Sequence, residues 1–148
     1  MALQAMPLDD RVAVSDQLGV ADMKGVADAG YVAVVNNRPD GEAMFGQPST
    51  ADLQRAAEAA GLIFLDLPFS GPHASPDQVR ALGDLLAGHE GKVLAFCKSG
   101  MRSALLWGAA SIAAGRSLDE VLGAAARAGQ NLDQVGELMV ALAQASRT

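Results

Sequence analysis

The sequence predicts an α/β fold with a parallel-rich central sheet, flanked by helices on both faces, and a C-terminal helical tail. Short β-branched runs alternate with helical patterns along most of the 148 residues, and this alternation favours parallel strands joined by right-handed crossovers. The run at 31–35 is too short for a helix and apolar on both faces, which is typical of a central parallel strand. The length is that of one domain, predicted to span residues 1–148.

Four short apolar runs are predicted to form strands. They cover residues 11–15, 31–35, 62–67 and 92–96. Two loops follow the middle two strands. Residues 36–48 form one of them because the segment contains Pro39 and Gly41, and residues 68–74 form the other.

The predicted helices have capping residues at their starts and glycines near their ends. Ser75 followed by Pro76 is typical of a helix start, and the S-L-D-E run at 117–120 fits a capping box. Gly61 and Gly129 follow helical patterns as stop signals. Six helices are predicted, over residues 20–29, 49–60, 75–87, 103–114, 117–129 and 133–144.

The C-terminal tail, residues 116–148, is too short to fold alone and is predicted to pack on the domain. Its apolar positions have helical spacing, with Leu118, Val121 and Leu122 in one helix and Leu138, among others, in the next. Covering the core is the predicted role of these helices. Dimerisation is the alternative, which would make the protein a homodimer.

The composition limits the partners that the protein can have. Seventeen acidic against eleven basic side chains give a net charge of −6, whereas nucleic-acid binders carry a surplus of Lys and Arg, so no nucleic-acid partner is expected. Cys97 is the single cysteine, which excludes a disulfide framework and favours a cytoplasmic setting. Acidic residues, histidines and the cysteine are dispersed, so neither a metal nor a cofactor is expected.

No targeting or membrane segment is predicted. Residues 1–10 lack the basic and then apolar order of a signal peptide. The most apolar stretch, 104–114, is about half a bilayer span and is interrupted by Gly108 and Ser111, so it is interpreted as a buried helix.

Residues 97–103, C-K-S-G-M-R-S, form the turn between an apolar strand and an apolar helix. Open parallel sheets bind ligands beyond the carboxyl ends of their strands, and amides at a helix N-terminus can hold an oxyanion there. Gly100 permits the backbone conformation that such a turn needs, and the Arg102 guanidinium is a planar fork for two oxygens. The predicted substrate-binding residues are Lys98, Ser99, Gly100, Met101 and Arg38.

Cys97 is the predicted nucleophile. A thiol beside a helix N-terminus, an arginine and a lysine ionises more readily than a free one, and Ser103 is expected to donate its hydroxyl to the sulfur. A nucleophile that faces an anion site implies group transfer through a covalent Cys97 intermediate. The alternative is an inert buried cysteine, with Gly100 as a turn residue and Arg102 as a solvated charge.

The motif C-x-x-G-x-R-S, together with residues 35–42, 47–48 and 59–62, resembles the phosphatase-like domain of bacterial beta-lactamase hydrolase-like proteins. The resemblance extends from Leu8 over nearly the whole chain. It implies a fold like that of dual-specificity, tyrosine-type phosphatases, and that activity. Members of the family also occur beside sulfide- and persulfide-metabolising enzymes and are sometimes called sulfurtransferases.

The active-site motif differs from that of the tyrosine phosphatases. Four residues, not five, separate Cys97 from Arg102, and Phe96 stands where those enzymes have a histidine. The shorter loop resembles the rhodanese loop, whose cysteine carries a persulfide.

The general acid of those phosphatases also has no evident counterpart. Ser70 stands near the position where they have an aspartic acid. His73 is predicted to substitute as a catalytic residue, since an imidazole titrates near neutral pH. Asp66 and Asp77 are the other candidates.

Arg38 lies in the loop after the second predicted strand. It is expected either to contact the anion or to pair with Asp40 and order the loop. Asn36 and Asn37 are interpreted as turn-capping residues.

The predicted function is that of a cysteine-dependent, phosphatase-like hydrolase acting on a phosphoester, a small anionic or phosphorylated molecule. A sulfurtransferase that carries sulfur from thiosulfate or glutathione persulfide to a thiol through a Cys97 persulfide is the first alternative. A non-catalytic phosphate-binding module is the second.

Overall fold

The computed structural model describes residues 3–148. Met1 and Ala2 lie outside the described residues. They are the first residues of the predicted domain and of the segment considered for a targeting signal. The strands are β1 (Met6–Pro7), β2 (Val12–Ser15), β3 (Tyr31–Asn36), β4 (Ile63–Asp66) and β5 (Lys92–Phe96). They form one sheet in the order β1-β2-β5-β3-β4, in which every pairing is parallel except that of β1 with β2.

Helices lie on both faces of the sheet, which confirms the predicted fold class. They are α1 (Met23–Asp28), α2 (Thr50–Ala59), α3 (Pro76–Gly88), α4 (Met101–Ala113), α5 (Leu118–Arg127) and α6 (Gly136–Ser146). Short 3₁₀ turns at Val20–Asp22 and Asp133–Val135 lead into α1 and α6.

The predicted helix starts are confirmed where a capping side chain was identified. The Ser75 hydroxyl accepts a hydrogen bond from the Gln78 amide, with Pro76 as the first helical residue. Ser117 and Glu120 form a reciprocal capping box at the start of α5. These side chains satisfy backbone amides that have no partner within the helix, which fixes where each helix begins.

Two buried clusters lie on opposite faces of the sheet, and β5 alternates between them. Val93 and Ala95 belong to the cluster covered by α3 to α6, whereas Leu94 and Phe96 belong to the cluster covered by α1 and α2. Residues of the tail belong to the first cluster. Val121, Leu132, Met139 and Ala143 are all buried there beside Trp107.

The strand register brings four chain segments to one edge of the sheet. Ser15 and Asn36, the last residues of β2 and β3, both pair with Phe96, and Asn36 also pairs with Asp66. The loops that leave these strands therefore start side by side, which is where open parallel sheets place their ligands.

Among residues 3–148, none of the helices combines the length and the apolar character needed to cross a lipid bilayer.

Candidate active site

The turn after β5 buries Cys97 beside the loop glycine. The Gly100 amide donates a hydrogen bond to Cys97 Sγ over 3.1 Å, and α4 begins at the next residue. Cys97 is only 1% exposed. The structure therefore brings the predicted nucleophile and the predicted loop glycine into direct contact.

Glycine is required at position 100 by conformation and by space. Its φ angle is +94°, in the left-handed region that favours glycine, and it is the N-cap of α4. A β-carbon there would lie 2.8 Å from Gln130 Nε2. This turn also explains why α4 begins at Met101, two residues before the predicted start.

Backbone amides around the loop point to an oxyanion site. Apart from Gly100, none of the backbone N–H groups from Lys98 to Arg102 donates a hydrogen bond to a residue in the described range, 3–148. Unpaired amides at the start of a 13-residue helix carry partial positive charge and attract anions. Lys98 and Ser99 are exposed, and Met101 is 41% exposed.

Arg102 is held by a carboxylate on one edge of its guanidinium. Its Nη1 and Nη2 donate to the two oxygens of Glu42 over 2.7 and 2.9 Å. Nη1 also donates to the Phe69 carbonyl over 3.0 Å. The Nε–H and one Nη2–H therefore remain on the other edge, as a fork that matches two oxygens of an anion.

Glu42 joins two arginines. Arg38 Nε donates to Glu42 Oε1 over 2.9 Å, while Arg38 Nη1 donates to Gln17 over 3.0 Å. The hydrogen bond from Arg102, assisted by Arg38, lowers the pKa of Glu42 to about 2. Glu42 in turn raises the pKa of Arg102, to which the charge of Cys97 also contributes.

The expected pairing of Arg38 with Asp40 is wrong. Asp40 Oδ1 instead accepts hydrogen bonds from the Thr50 amide and hydroxyl at the start of α2. The Arg38 side chain is buried and is satisfied by Glu42 and Gln17, because a buried guanidinium requires such partners.

The expected bond from Ser103 to the sulfur is also wrong in this structure. Ser103 Oγ donates to Asn37 Oδ1 over 2.7 Å, and Asn37 Nδ2 donates to the Leu67 carbonyl over 2.9 Å. Both side chains are buried, and the hydroxyl has a single proton, so it satisfies the Asn37 oxygen. Asn37 therefore ties the loops after β3 and β4 to α4.

No candidate acid is hydrogen-bonded to Cys97 or Arg102 within residues 3–148. His73 is exposed, and its ring bonds no residue that the structure describes. Asp66 accepts from Asn36, and Asp77 pairs with Arg80 on the surface of α3. The loop contributes the Phe69 carbonyl to Arg102, whereas Ser70 is exposed.

Sequence reasoning did not assign roles to Glu42 or Gln130. Glu42 follows β3 at the same sheet edge as the turn, so the rule that predicted the turn as a site could also have pointed to it. Gln130 Nε2 donates to the Ser99 carbonyl over 3.1 Å, and the residue is buried. A single glutamine after a helix-ending glycine is not part of any sequence pattern, so this contact could not be predicted.

In the described part of the chain, no three His, Cys, Asp or Glu side chains are grouped to hold a metal ion.

Comparisons with known proteins identify the family of the chain. Residues 6–114 match the family model of the beta-lactamase hydrolase-like protein, phosphatase-like domain. The beta-lactamase hydrolase-like protein of Agrobacterium fabrum is 33% identical over 105 residues, which are 71% of this chain. The chain spans only 24% of that relative's length.

Solved structures show the same fold. A candidate phosphatase from Neisseria meningitidis is 33% identical, with a TM-score of 0.79 over 93% of this chain and 96% of its own. Tk-PTP in its active form is 23% identical, with a TM-score of 0.74 over 99% of both chains, and supports the fold alone. The chain is thus a member of the phosphatase-like domain family of beta-lactamase hydrolase-like proteins.

Proposed function

We propose that this chain hydrolyses phosphate monoesters through a covalent intermediate on Cys97. The observation that carries the proposal is that Cys97 and Arg102 lie in the same turn at the start of α4, and that the bonds of Arg102 to Glu42 and Phe69 leave the Nε–H and one Nη2–H for an anion. Glu42 holds the inner edge of Arg102, so that the Nε–Nη2 edge and the loop amides can bind the phosphoryl oxygens together.

The reaction then has two displacements at phosphorus. The Cys97 thiolate attacks phosphorus, an S–P bond forms, the P–O bond breaks, and the leaving oxygen takes a proton from solvent. Water next attacks the phosphocysteine, giving inorganic phosphate and the regenerated thiolate. Within residues 3–148, His73, Asp66 and Asp77 make no hydrogen bond to Cys97 or Arg102, and the lowered pKa of Glu42 keeps that carboxylate ionised. Esters with a stable leaving anion, such as aryl esters, are therefore the expected substrates.

Hydrolysis of an aryl phosphate tests this proposal. We expect phosphate release by the wild-type chain, inhibition by vanadate, and complete loss of turnover in Cys97→Ser. Arg102→Lys retains the charge but lacks the planar fork, so it should weaken phosphate binding about tenfold or more. Turnover that survives in Cys97→Ser would contradict the covalent mechanism. Phosphate binding without any turnover would leave only a binding module.

Sulfur transfer is the second candidate, because four residues between Cys97 and Arg102 make a tighter loop than a phosphatase normally uses. In that reaction the thiolate attacks the outer sulfur of thiosulfate, the S–S bond breaks, and sulfite leaves. A thiolate acceptor then removes the outer sulfur from the Cys97 persulfide. No proton donor is needed at either step.

Mass spectrometry separates the two candidates. Incubation with thiosulfate or glutathione persulfide should add the mass of one sulfur atom to Cys97 if the chain transfers sulfur. Rapid quenching with an aryl phosphate should add a phosphoryl group if it hydrolyses esters. A sulfur adduct without phosphate release would replace the first proposal by the second.

A further inference from the structure

An apolar cavity of about 600 Å³ opens directly beside Arg102. It lies between the loop after β4, the first turn of α4 and the 3₁₀ turn that precedes α6. Its lining includes Gly71, Pro72, Met101, Leu105 and Val135. The volume falls within the range of about 300–1,000 Å³ that is typical of small-molecule sites.

The lining of this cavity carries one charge. Among residues 3–148, Arg102 is the one charged residue of the lining, and the other polar side chains there are the uncharged amides of Asn131 and Gln134. The opposite flank of the loop differs, because Asp16 and Lys98 line the cavity there. The charge on the Arg102 side is therefore the one that the proposed anion would neutralise, whereas the other flank would place an apolar group beside two further charges.

We propose that this cavity holds the apolar group, aryl or branched alkyl, of the anionic substrate. The inference rests on the proposed function for the anion itself, and adds the chemical class of the group that the anion carries. Because Arg102 belongs to both the anion site and the cavity, one ligand can occupy both. Met101 and Val135 are specificity-determining residues in this arrangement, since both line the cavity.

Two esters with similar leaving groups test the proposal. Phenyl phosphate and 4-tert-butylphenyl phosphate release phenols of similar acidity but differ in apolar bulk. We expect kcat/KM to be about tenfold higher for the tert-butyl ester, because burying its methyl groups stabilises the bound state. A ratio near one for the wild-type chain would overturn the proposal.

A matched pair of variants tests whether the preference for the tert-butyl ester arises in this cavity. Val135 and Val20 both lie in 3₁₀ turns, but Val20 is on the other face of the sheet and 48% exposed. Val135→Ser should lower the tert-butyl preference at least threefold, whereas Val20→Ser should leave both the preference and phenyl phosphate turnover unchanged. An equal loss of preference in both variants would contradict the assignment.

Binding measurements keep this inference separate from catalysis. Phenylphosphonate and its 4-tert-butyl derivative resist hydrolysis, and their affinities should also differ about tenfold. If neither ester is hydrolysed but the phosphonates differ as expected, the cavity assignment holds and hydrolysis is excluded. If the phosphonates bind equally while both esters are hydrolysed, hydrolysis stands and the cavity assignment fails.

Discussion

Arg102 has five N–H groups, and three of them bond protein oxygens in this structure. These bonds fix the plane of the guanidinium before any substrate arrives. A preorganised arginine binds an oxyanion without the loss of side-chain freedom that a mobile one would undergo. The orientation of the Arg102 guanidinium therefore depends on Glu42, which accepts hydrogen bonds from Nη1 and Nη2.

Replacing Glu42 with Gln should weaken phosphate binding about tenfold, because one carboxylate no longer orients both arginines. It should also lower the free energy of unfolding by about 1 kcal/mol at pH 7. Isothermal titration with inorganic phosphate and urea unfolding measure the two effects. Unchanged phosphate affinity would show that Arg102 does not need this partner.

The stability effect of Glu42 has a defined pH dependence. Its pKa falls from the ordinary value of 4.5 to about 2 on folding, so the ionised carboxylate stabilises the folded state fully above pH 4.5. This contribution is lost as the pH falls from 4.5 through about 2. The difference in unfolding free energy between wild type and Glu42→Gln should therefore shrink over that interval.

Replacing Ser103 with Ala tests the role of the hydroxyl. The change leaves Asn37 Oδ1 buried without its donor, which should cost about 1–3 kcal/mol of stability. The rate at which iodoacetamide alkylates Cys97 should stay close to that of the wild type, because the sulfur accepts from the Gly100 amide. A large fall in this rate would restore Ser103 as the donor to sulfur.

The geometry of the turn could be predicted because a glycine and an arginine at fixed distances from a cysteine constrain the backbone and the charge locally. The hydrogen-bond partners of residues around the turn could not be predicted from the sequence. Arg38 had two acidic residues within reach in sequence, and the choice of Glu42 over Asp40 depends on where α2 begins. Ser103 is adjacent to Arg102 in sequence, yet its partner Asn37 lies 66 residues away.

At the scale of elements, local signals located the helices and most strands. Capping boxes and a proline at the first helical position specify helix starts through bonds within four residues. β1 was missed because two residues carry no periodicity, and its pairing with β2 is a tertiary contact. The 3₁₀ turns before α1 and α6 were predicted as parts of those helices. Over three residues, a 3₁₀ turn and an α-helix have the same apolar spacing in sequence.

Substitution of alanine for two glycines within helices should change the free energy of unfolding in opposite directions. A β-carbon on Gly108 of α4 would lie 2.4 Å from Met139 Sδ and 3.0 Å from Val121, whereas Gly83 of α3 has open space. Gly83→Ala should stabilise the protein by about 0.5–1 kcal/mol. Gly108→Ala should destabilise it by about 1 kcal/mol, because overpacking exceeds the helical gain. Urea unfolding of both variants measures the contrast, and equal effects would contradict the close packing of α4 on α5 and α6.

At the scale of the whole molecule, the tail contacts both the core and the active-site turn. The family match ends at residue 114, but α5 and α6 bury Val121, Met139 and Ala143 in the core that α4 shares. Gln130, which follows α5, also contacts the active-site turn. The expectation that residues 1–148 form one domain remains a prediction.

Removing residues 116–148 tests that prediction. We expect the shortened chain to lose cooperative unfolding and to bind hydrophobic dyes, because the apolar surface of α4 would lose its cover. Trp107, the single tryptophan, is buried in this core and reports its packing by fluorescence. A shortened chain that unfolds in one sharp transition would show that the tail is a separate unit.

The partners of Arg102 also have a kinetic consequence. Glu42 and Phe69 come from the loops after β3 and β4, and Gln17, which holds Arg38, follows β2. Each of these strands must therefore pair in the sheet before hydrogen bonds can fix the orientation of the guanidinium. During refolding from urea, the affinity for phosphate should consequently recover later than tryptophan fluorescence, so that a partly folded chain does not yet bind phosphate.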